Sequence, residues 1–188
     1  MSDLDKLNLY IERARAAGAE VECIAPGDLH ARLETLLAGL DPIAALPASG
    51  WPQELLETVE AVLRASNFEI VTPRKTDDGF AWDRDRLAHA SVGITFCPVF
   101  LADTGSLALP AGPGAGTLAA LLPEIHVALS YPEGCRMGLA DYLPEIGDAM
   151  PSRLTLVTGP SRTGDIEATM TVGVHGPRKV IHYILSGR

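Results

Sequence analysis

Apolar residues recur at helical spacing three times in the first third of the chain. Leu4, Leu7 and Ile11 form one set, Leu29, Leu33, Leu36, Leu37 and Leu40 a second, and Leu55, Leu56, Val59, Val62 and Leu63 a third. Each set marks the buried face of an amphipathic helix. Gly18 is placed to close the first helix, Asp28 to cap the second and Pro52 to open the third, which Asn67 ends. The short runs "AEVECIA" (19–25) and "FEIVTP" (68–73) read as strands. "DPIAALPASG" (41–50) reads as a loop, because Pro and small residues dominate it. "RKTDDGFAWDRD" (74–85) reads as an exposed polar connection to a short helix around 84–90.

From Val92 the pattern changes. "VGITFCPVFLADTGSLALP" (92–110) predicts two or three short strands with Asp103, Thr104 and Gly105 at a turn. A Gly-Pro loop, "AGPGAG" (111–116), leads to a brief helix "TLAALLP" and the strand "EIHVALS". Residues 132–150 are helical in pattern, interrupted near Pro144. "RLTLVTG", "DIEATMTVG" and "KVIHYIL" then predict strand, helix and strand. Apolar strands alternating with helices imply an α/β domain: a mostly parallel sheet covered by helices. The 188 residues suit a single domain, in which 1–66 form a helical N-terminal portion packed on the sheet.

Composition narrows the function classes. A net charge of −9 disfavours general binding to phosphate backbones, so no nucleic-acid partner is expected. No apolar run approaches the roughly 20 residues of a membrane span. The start, Met-Ser-Asp-Leu-Asp-Lys, lacks a basic segment followed by an apolar one, which points to the cytoplasm. Cys23, Cys97 and Cys135 are odd in number and far apart, unlike a zinc site, an iron–sulfur cluster or a disulfide framework. They read as buried small apolar residues, and no resident metal or cofactor is expected.

Three stretches offer chemistry. "GPSRTG" (159–164) reads as a loop beyond a strand end, before a helix whose free N–H groups favour an anion. Gly159 gives the turn, Ser161 and Thr163 add hydroxyl donors, and Arg162 adds a forked cation. In the plainer reading, Thr163 or Asp165 caps the helix and Arg162 pairs with a nearby carboxylate. His175, at the far end, either caps carbonyls or serves as acid, base or metal ligand. A helix of about 10 residues spans roughly 15 Å, which would put Arg162 and His175 on opposite rims.

"ADTGS" (102–106) is the second stretch. Asp103 either holds an Asx turn or projects its carboxylate as a nucleophile or base, with Thr104, Gly105 and Ser106 beside it as ligand contacts. His126, in the strand after "LLPE", is either a satisfied core residue or a ligand contact. No spacing selects His126 and His175 as a metal pair, so no metal site is assigned.

"ADTGS", "LLPEIHVAL" and "TGPSRTGDIEATMTVGVHGP", in that order, resemble the LUD domain of bacterial lactate-utilisation proteins in its stand-alone form. The resemblance implies a fold of the NagB/RpiA/CoA-transferase-like group. It also implies an accessory, non-redox subunit working with iron–sulfur protein partners that oxidise L-lactate to pyruvate. Family members often carry Thr where Ser106 stands and Glu where Asp103 stands. CoA-transferases of the related fold use a glutamate before Asn-Gly as nucleophile, and Asp103 before Thr-Gly is a shorter analogue. The alternative is an enzyme or sensor binding a small carboxylate, phosphate or CoA ester at the "ADTGS" and "GPSRTGD" loops. A purely structural interaction module is the third class.

Overall fold

The computed structural model describes residues 1–164, 170–172 and 176–187. Helix α1 (Asp3–Ala16) leads into strand β1 (Glu20–Ile24), then α2 (Leu29–Leu37), β2 (Ile43–Ala45), α3 (Gln53–Ala65) and β3 (Glu69–Val71). A ribbon of β4 (Arg74–Thr76) and β5 (Gly79–Ala81) precedes α4 (Arg84–Ala88) and β6 (Val92–Phe96). Next come β7 (Val99–Leu101), β8 (Ser106–Pro110), α5 (Thr117–Leu121) and β9 (Ile125–Ser130). The remainder holds β10 (Cys135–Arg136), α6 (Leu139–Ile146), β11 (Leu154–Val157), β12 (Arg162–Gly164), β13 (Met170–Val172) and β14 (Lys179–Leu185).

The central sheet runs β1-β14-β9-β6-β2-β3, and each neighbouring pair is parallel. Parallel strands must be covered on both faces, and the sequence supplies apolar residues for each. On one face α2 and α3 bring Leu29, Leu33, Leu55, Val59 and Leu63 against Ile94, Val127, Leu129, Ile181 and Tyr183. On the other, Tyr10 and Ala14 of α1 and Phe100, Leu107 and Leu109 of a second sheet meet Ala128, Val180 and Ile184. That second sheet has the order β10-β7-β8-β11. Alternation along β14 shows the division: Ile181 and Tyr183 enter the first core, Val180 and Ile184 the second. Helix α5 lies so close to β6 that a Cβ on Gly93 would stand 1.7 Å from the Ala119 carbonyl oxygen. Among the described residues, no helix is long and apolar enough to cross a membrane.

The α/β architecture and its parallel sheet match the sequence pattern. Several local expectations change. Residues 43–45 are a strand rather than a loop, because buried Ala44 and Ala45 let β2 fit between β3 and β6. Asp77, Asp78 and Gly79 close the β4–β5 ribbon where an irregular connection was expected. On α1, Tyr10 and Ala14 form the most deeply buried positions with the expected Leu7 and Ile11 packed beside them, while Leu4 is exposed. Strand β11 pairs antiparallel with β8 in the second sheet and so does not extend the parallel one. The helix expected over 165–173 is replaced, in its described part, by β13 paired antiparallel with β12. Thr163, Thr171 and Val172 are β-branched, which favours extended backbone over helix.

Candidate functional site

Helix α1 ends just before β1 begins, so its C-terminus marks the amino rim of the parallel sheet. The "ADTGS" turn is packed there: Gly105 has φ +69°, and a Cβ on it would stand 2.3 Å from the Ala14 nitrogen. "GPSRTG" arrives at the same place, since a Cβ on Gly159 (φ +73°) would stand 2.3 Å from the Ala17 oxygen. The Ser161 N–H donates to the Pro177 carbonyl at 2.9 Å, just ahead of β14. Both expected loops therefore lie on the amino rim, not beyond the carboxyl ends of the parallel strands. The physical cause is the antiparallel course of β11, which reverses the rim its end reaches.

The two loops touch. Ser106 Oγ lies 2.8 Å from Thr104 Oγ1 and 2.6 Å from Thr158 Oγ1, forming a hydroxyl trio. Asp103 is exposed, and its N–H donates to the Met137 carbonyl at 2.9 Å. Its carboxylate sits against Gly138, the residue that caps α6, where a Cβ would stand 2.5 Å from Oδ2. A carboxylate at a helix amino end is favourable, which gives Asp103 a structural role here. Arg162 and Thr163 lie in β12, whose partner β13 returns the chain toward Gly176. A Cβ on Gly176 would stand 3.2 Å from Ser161 Cβ, so the two ends of this segment meet at one rim, contrary to the helical estimate. Asp165 and His175 lie outside the described residues.

His126 occupies the sheet interior with no exposed surface. Its Nε2 lies 2.9 Å from Thr95 Oγ1, and among the described residues Nδ1 has no hydrogen-bond partner. The two side chains share this one hydrogen bond, and the imidazole tautomer sets which of them donates. Burial holds the His126 pKa down at about 4.

A second buried histidine was not singled out by sequence. The Ser130 hydroxyl donates to the Cys97 carbonyl at 2.7 Å, so it accepts from His182 Nε2 at 2.8 Å. His182 Nδ1 therefore accepts from the Tyr10 hydroxyl at 2.7 Å. Burial and the neighbouring His126 hold its pKa at about 3. Polar residues at alternate positions of otherwise apolar strands (Thr95, His126, Ser130, His182) were the available sequence signal.

At the carboxyl rim, β2 and β6 are neighbours, yet the chain leaves β2 for β3 on the opposite side. That reversal of direction is where open α/β sheets commonly bind ligands. A partly enclosed crevice of about 70 Å³ lies here, lined by Ser49, Thr95, Phe96, Leu109, Pro110 and Gly116 among others. A larger groove of about 720 Å³ runs between α1, β10 and α6 and includes none of the expected site residues. Its cations are engaged locally, Lys6 with Asp3 at 2.7 Å and Arg136 with Glu145 at 2.7 Å. Burial pushes the Cys135 thiol beside it up to about 11 and that of Cys97 up to about 12. Cys23 is exposed, which corrects the reading of all three cysteines as buried.

Comparison with known proteins follows the fold. The profile of the LUD domain matches residues 7–185. Lactate utilization protein C of Geobacillus sp. (strain WCH70) is 34% identical over 129 residues, covering 62% of this chain and 54% of that protein. Lactate utilization protein C of Bacillus subtilis (strain 168) is 32% identical over 121 residues, covering 57% and 50%. The chain thus spans about half the length of these curated relatives. A crystal structure of a DUF162 family protein from Deinococcus radiodurans superposes with a TM-score of 0.66 at 18% identity. It covers 99% of both chains, a likeness of fold.

Proposed function

Since the chain belongs to the LUD-domain family, we propose that it serves lactate utilisation as an accessory subunit without a redox centre of its own. Iron–sulfur partner proteins would carry the electrons as L-lactate becomes pyruvate, in the cytoplasm. The observation that carries this reading is the identity shared with proteins named Lactate utilization protein C. The spacing of the cysteines agrees with that division of labour: Cys23, Cys97 and Cys135 lie far apart and form no Cys-x-x-Cys pair of the kind that holds a cluster. The test is deletion and complementation in the source organism, with growth on L-lactate as sole carbon source. Loss of growth and co-purification with iron–sulfur proteins are the expected results, and undiminished growth overturns the proposal.

A second reading is favoured by one contact, the 2.6 Å approach of Ser106 and Thr158 hydroxyls. It joins "ADTGS" and "GPSRTG" into one polar surface for a small carboxylate, phosphate or CoA ester, with Asp103 as its catalytic carboxylate. Arg162→Ala should then reduce ligand-induced stabilisation, and Asp103→Asn should abolish turnover. Unchanged behaviour in both variants removes this reading.

A further inference from the structure

We infer that the groove between α1, β10 and α6 docks a basic, amphipathic segment of a partner protein. Apolar side chains of that segment enter the groove, and its Lys or Arg side chains reach Glu133 and Asp141. The accessory-subunit reading supplies only the partner's identity as one of the lactate-oxidising proteins. The surface itself rests on the following geometry.

The apolar half begins on α1. Leu4, Leu7 and Ile11 share one face of this helix, and Leu7 and Ile11 pack against the core around Tyr10 and Phe100. Leu4 carries the same stripe past the core, where it is 66% exposed and lines the groove with Leu7 and Met137. The turn that displays it is held in place by a reciprocal capping box. Asp5 N–H donates to Ser2 Oγ at 3.2 Å, and Ser2 N–H to Asp5 Oδ2 at 3.1 Å. The space beneath Leu4 is about 720 Å³, about ten times the crevice at the carboxyl rim. Pockets of this size enclose a whole drug-sized molecule, so several side chains enter together.

Charge decides the chemistry of the segment. Four carboxylates line the groove, Asp3, Glu133, Asp141 and Glu145, against two cations, Lys6 and Arg136. Both cations are engaged within the groove. Lys6 meets Asp3 at 2.7 Å, while Arg136 Nε meets Glu145 at 2.7 Å and its Nη1 donates to the Glu133 carbonyl at 2.6 Å. The carboxylates of Glu133 and Asp141 are exposed and, among the described residues, form no ion pair. An apolar strip beside two uncompensated carboxylates is the complement of Lys or Arg flanking large apolar residues. The same carboxylates repel nucleic acid and anionic membranes. A second copy of the chain would bring the same pair of carboxylates and a further net charge of −9.

The experiment titrates the full chain into a fluorescein-labelled peptide of about 15 residues, Leu on one helical face and Lys on the other. Anisotropy is read at an ionic strength of about 0.15 M. Two control peptides are a scramble of the same composition without an apolar face, and the same pattern with Glu for Lys. The Leu/Lys peptide should bind, and both controls should bind at least about tenfold more weakly. Leu4→Ser should weaken binding at least about tenfold, and so should Glu133→Gln combined with Asp141→Asn. Glu57→Gln, on α3 across the central sheet, should leave it unchanged. Thermal melts check that each variant is folded. Absence of binding, equal binding of either control peptide, unchanged affinity in the groove variants, or an equal loss in Glu57→Gln overturns the inference. A dimer in sedimentation that Leu4→Ser abolishes overturns it in favour of a second copy.

Growth and co-purification separate this inference from the accessory role. Deletion may abolish growth on L-lactate while Leu4→Ser/Glu133→Gln/Asp141→Asn still co-purifies with iron–sulfur proteins, and that result defeats the groove alone. Peptide binding at the groove with growth undiminished on deletion defeats the accessory role alone.

Discussion

The Tyr10 hydroxyl, on the first helix, donates to His182 Nδ1 in the last strand across 2.7 Å and 172 positions of sequence. Both residues are buried, so neither loses its partner without exposing an unsatisfied group to a dry interior. Tyr10→Phe keeps the ring contact with Phe100, centroids 4.5 Å apart, and removes only the hydroxyl. The expected cost is about 1–3 kcal/mol in urea unfolding. A midpoint unchanged from the parent would show that the bond contributes nothing net.

Acid should weaken the fold through the same region. His126 and His182 are held neutral, with pKa values near 4 and 3, while in the unfolded chain each titrates near 6.5. Below pH 6.5 the unfolded state therefore binds more protons, and stability falls with pH until the folded values are reached. By pH 5 each histidine costs about 2 kcal/mol by this linkage, an order-of-magnitude figure. Urea midpoints at pH 7.5, 6 and 5 should decline steadily, and a flat profile above pH 5 rules this out.

Two glycines with left-handed backbone should respond differently to an added methyl group. Gly159→Ala combines a left-handed backbone with a methyl 2.3 Å from the Ala17 oxygen, and should cost about 2 kcal/mol or more. Gly39→Ala has φ +85° but nothing within 4 Å, so only the backbone term of about 1 kcal/mol applies. Thermal melts of the two variants should therefore separate, with Gly159→Ala the lower.

Thiol labelling should distinguish the three cysteines. Cys23 is exposed and should react with Ellman's reagent in the native protein, whereas buried Cys97 and Cys135 should react only after denaturant is added. Reaction of all three thiols at equal rates under native conditions would contradict the core packing.

Much of this architecture was legible from residue order. The stripe of Leu55, Val59, Val62 and Leu63 gives α3, and the apolar runs around Ile94, Val127 and Ile181 give the central strands. What escaped was set by tertiary context. Ala44 and Ala45 carry little strand preference, and only the narrow slot between β3 and β6 makes them a strand. "DDG" at 77–79 is a recognised hairpin signal, outweighed by the polar residues around it. The candidate sites followed the same logic. Sequence drew attention to Asp103, Arg162 and His175, the residues with obvious chemistry. The carboxyl crevice is lined instead by Ser49, Thr95, Phe96, Leu109 and several Pro, Gly and Ala residues, and strand order alone draws attention to it.

Strand β14 occupies an interior position of the central sheet, between β1 and β9. During synthesis, then, β1 and β9 emerge from the ribosome long before the strand that bridges them. Until residues 179–185 follow, each presents an unpaired backbone edge, the kind of surface on which nascent chains associate wrongly. Completion of the sheet waits for β14, and chaperone demand should concentrate in that interval.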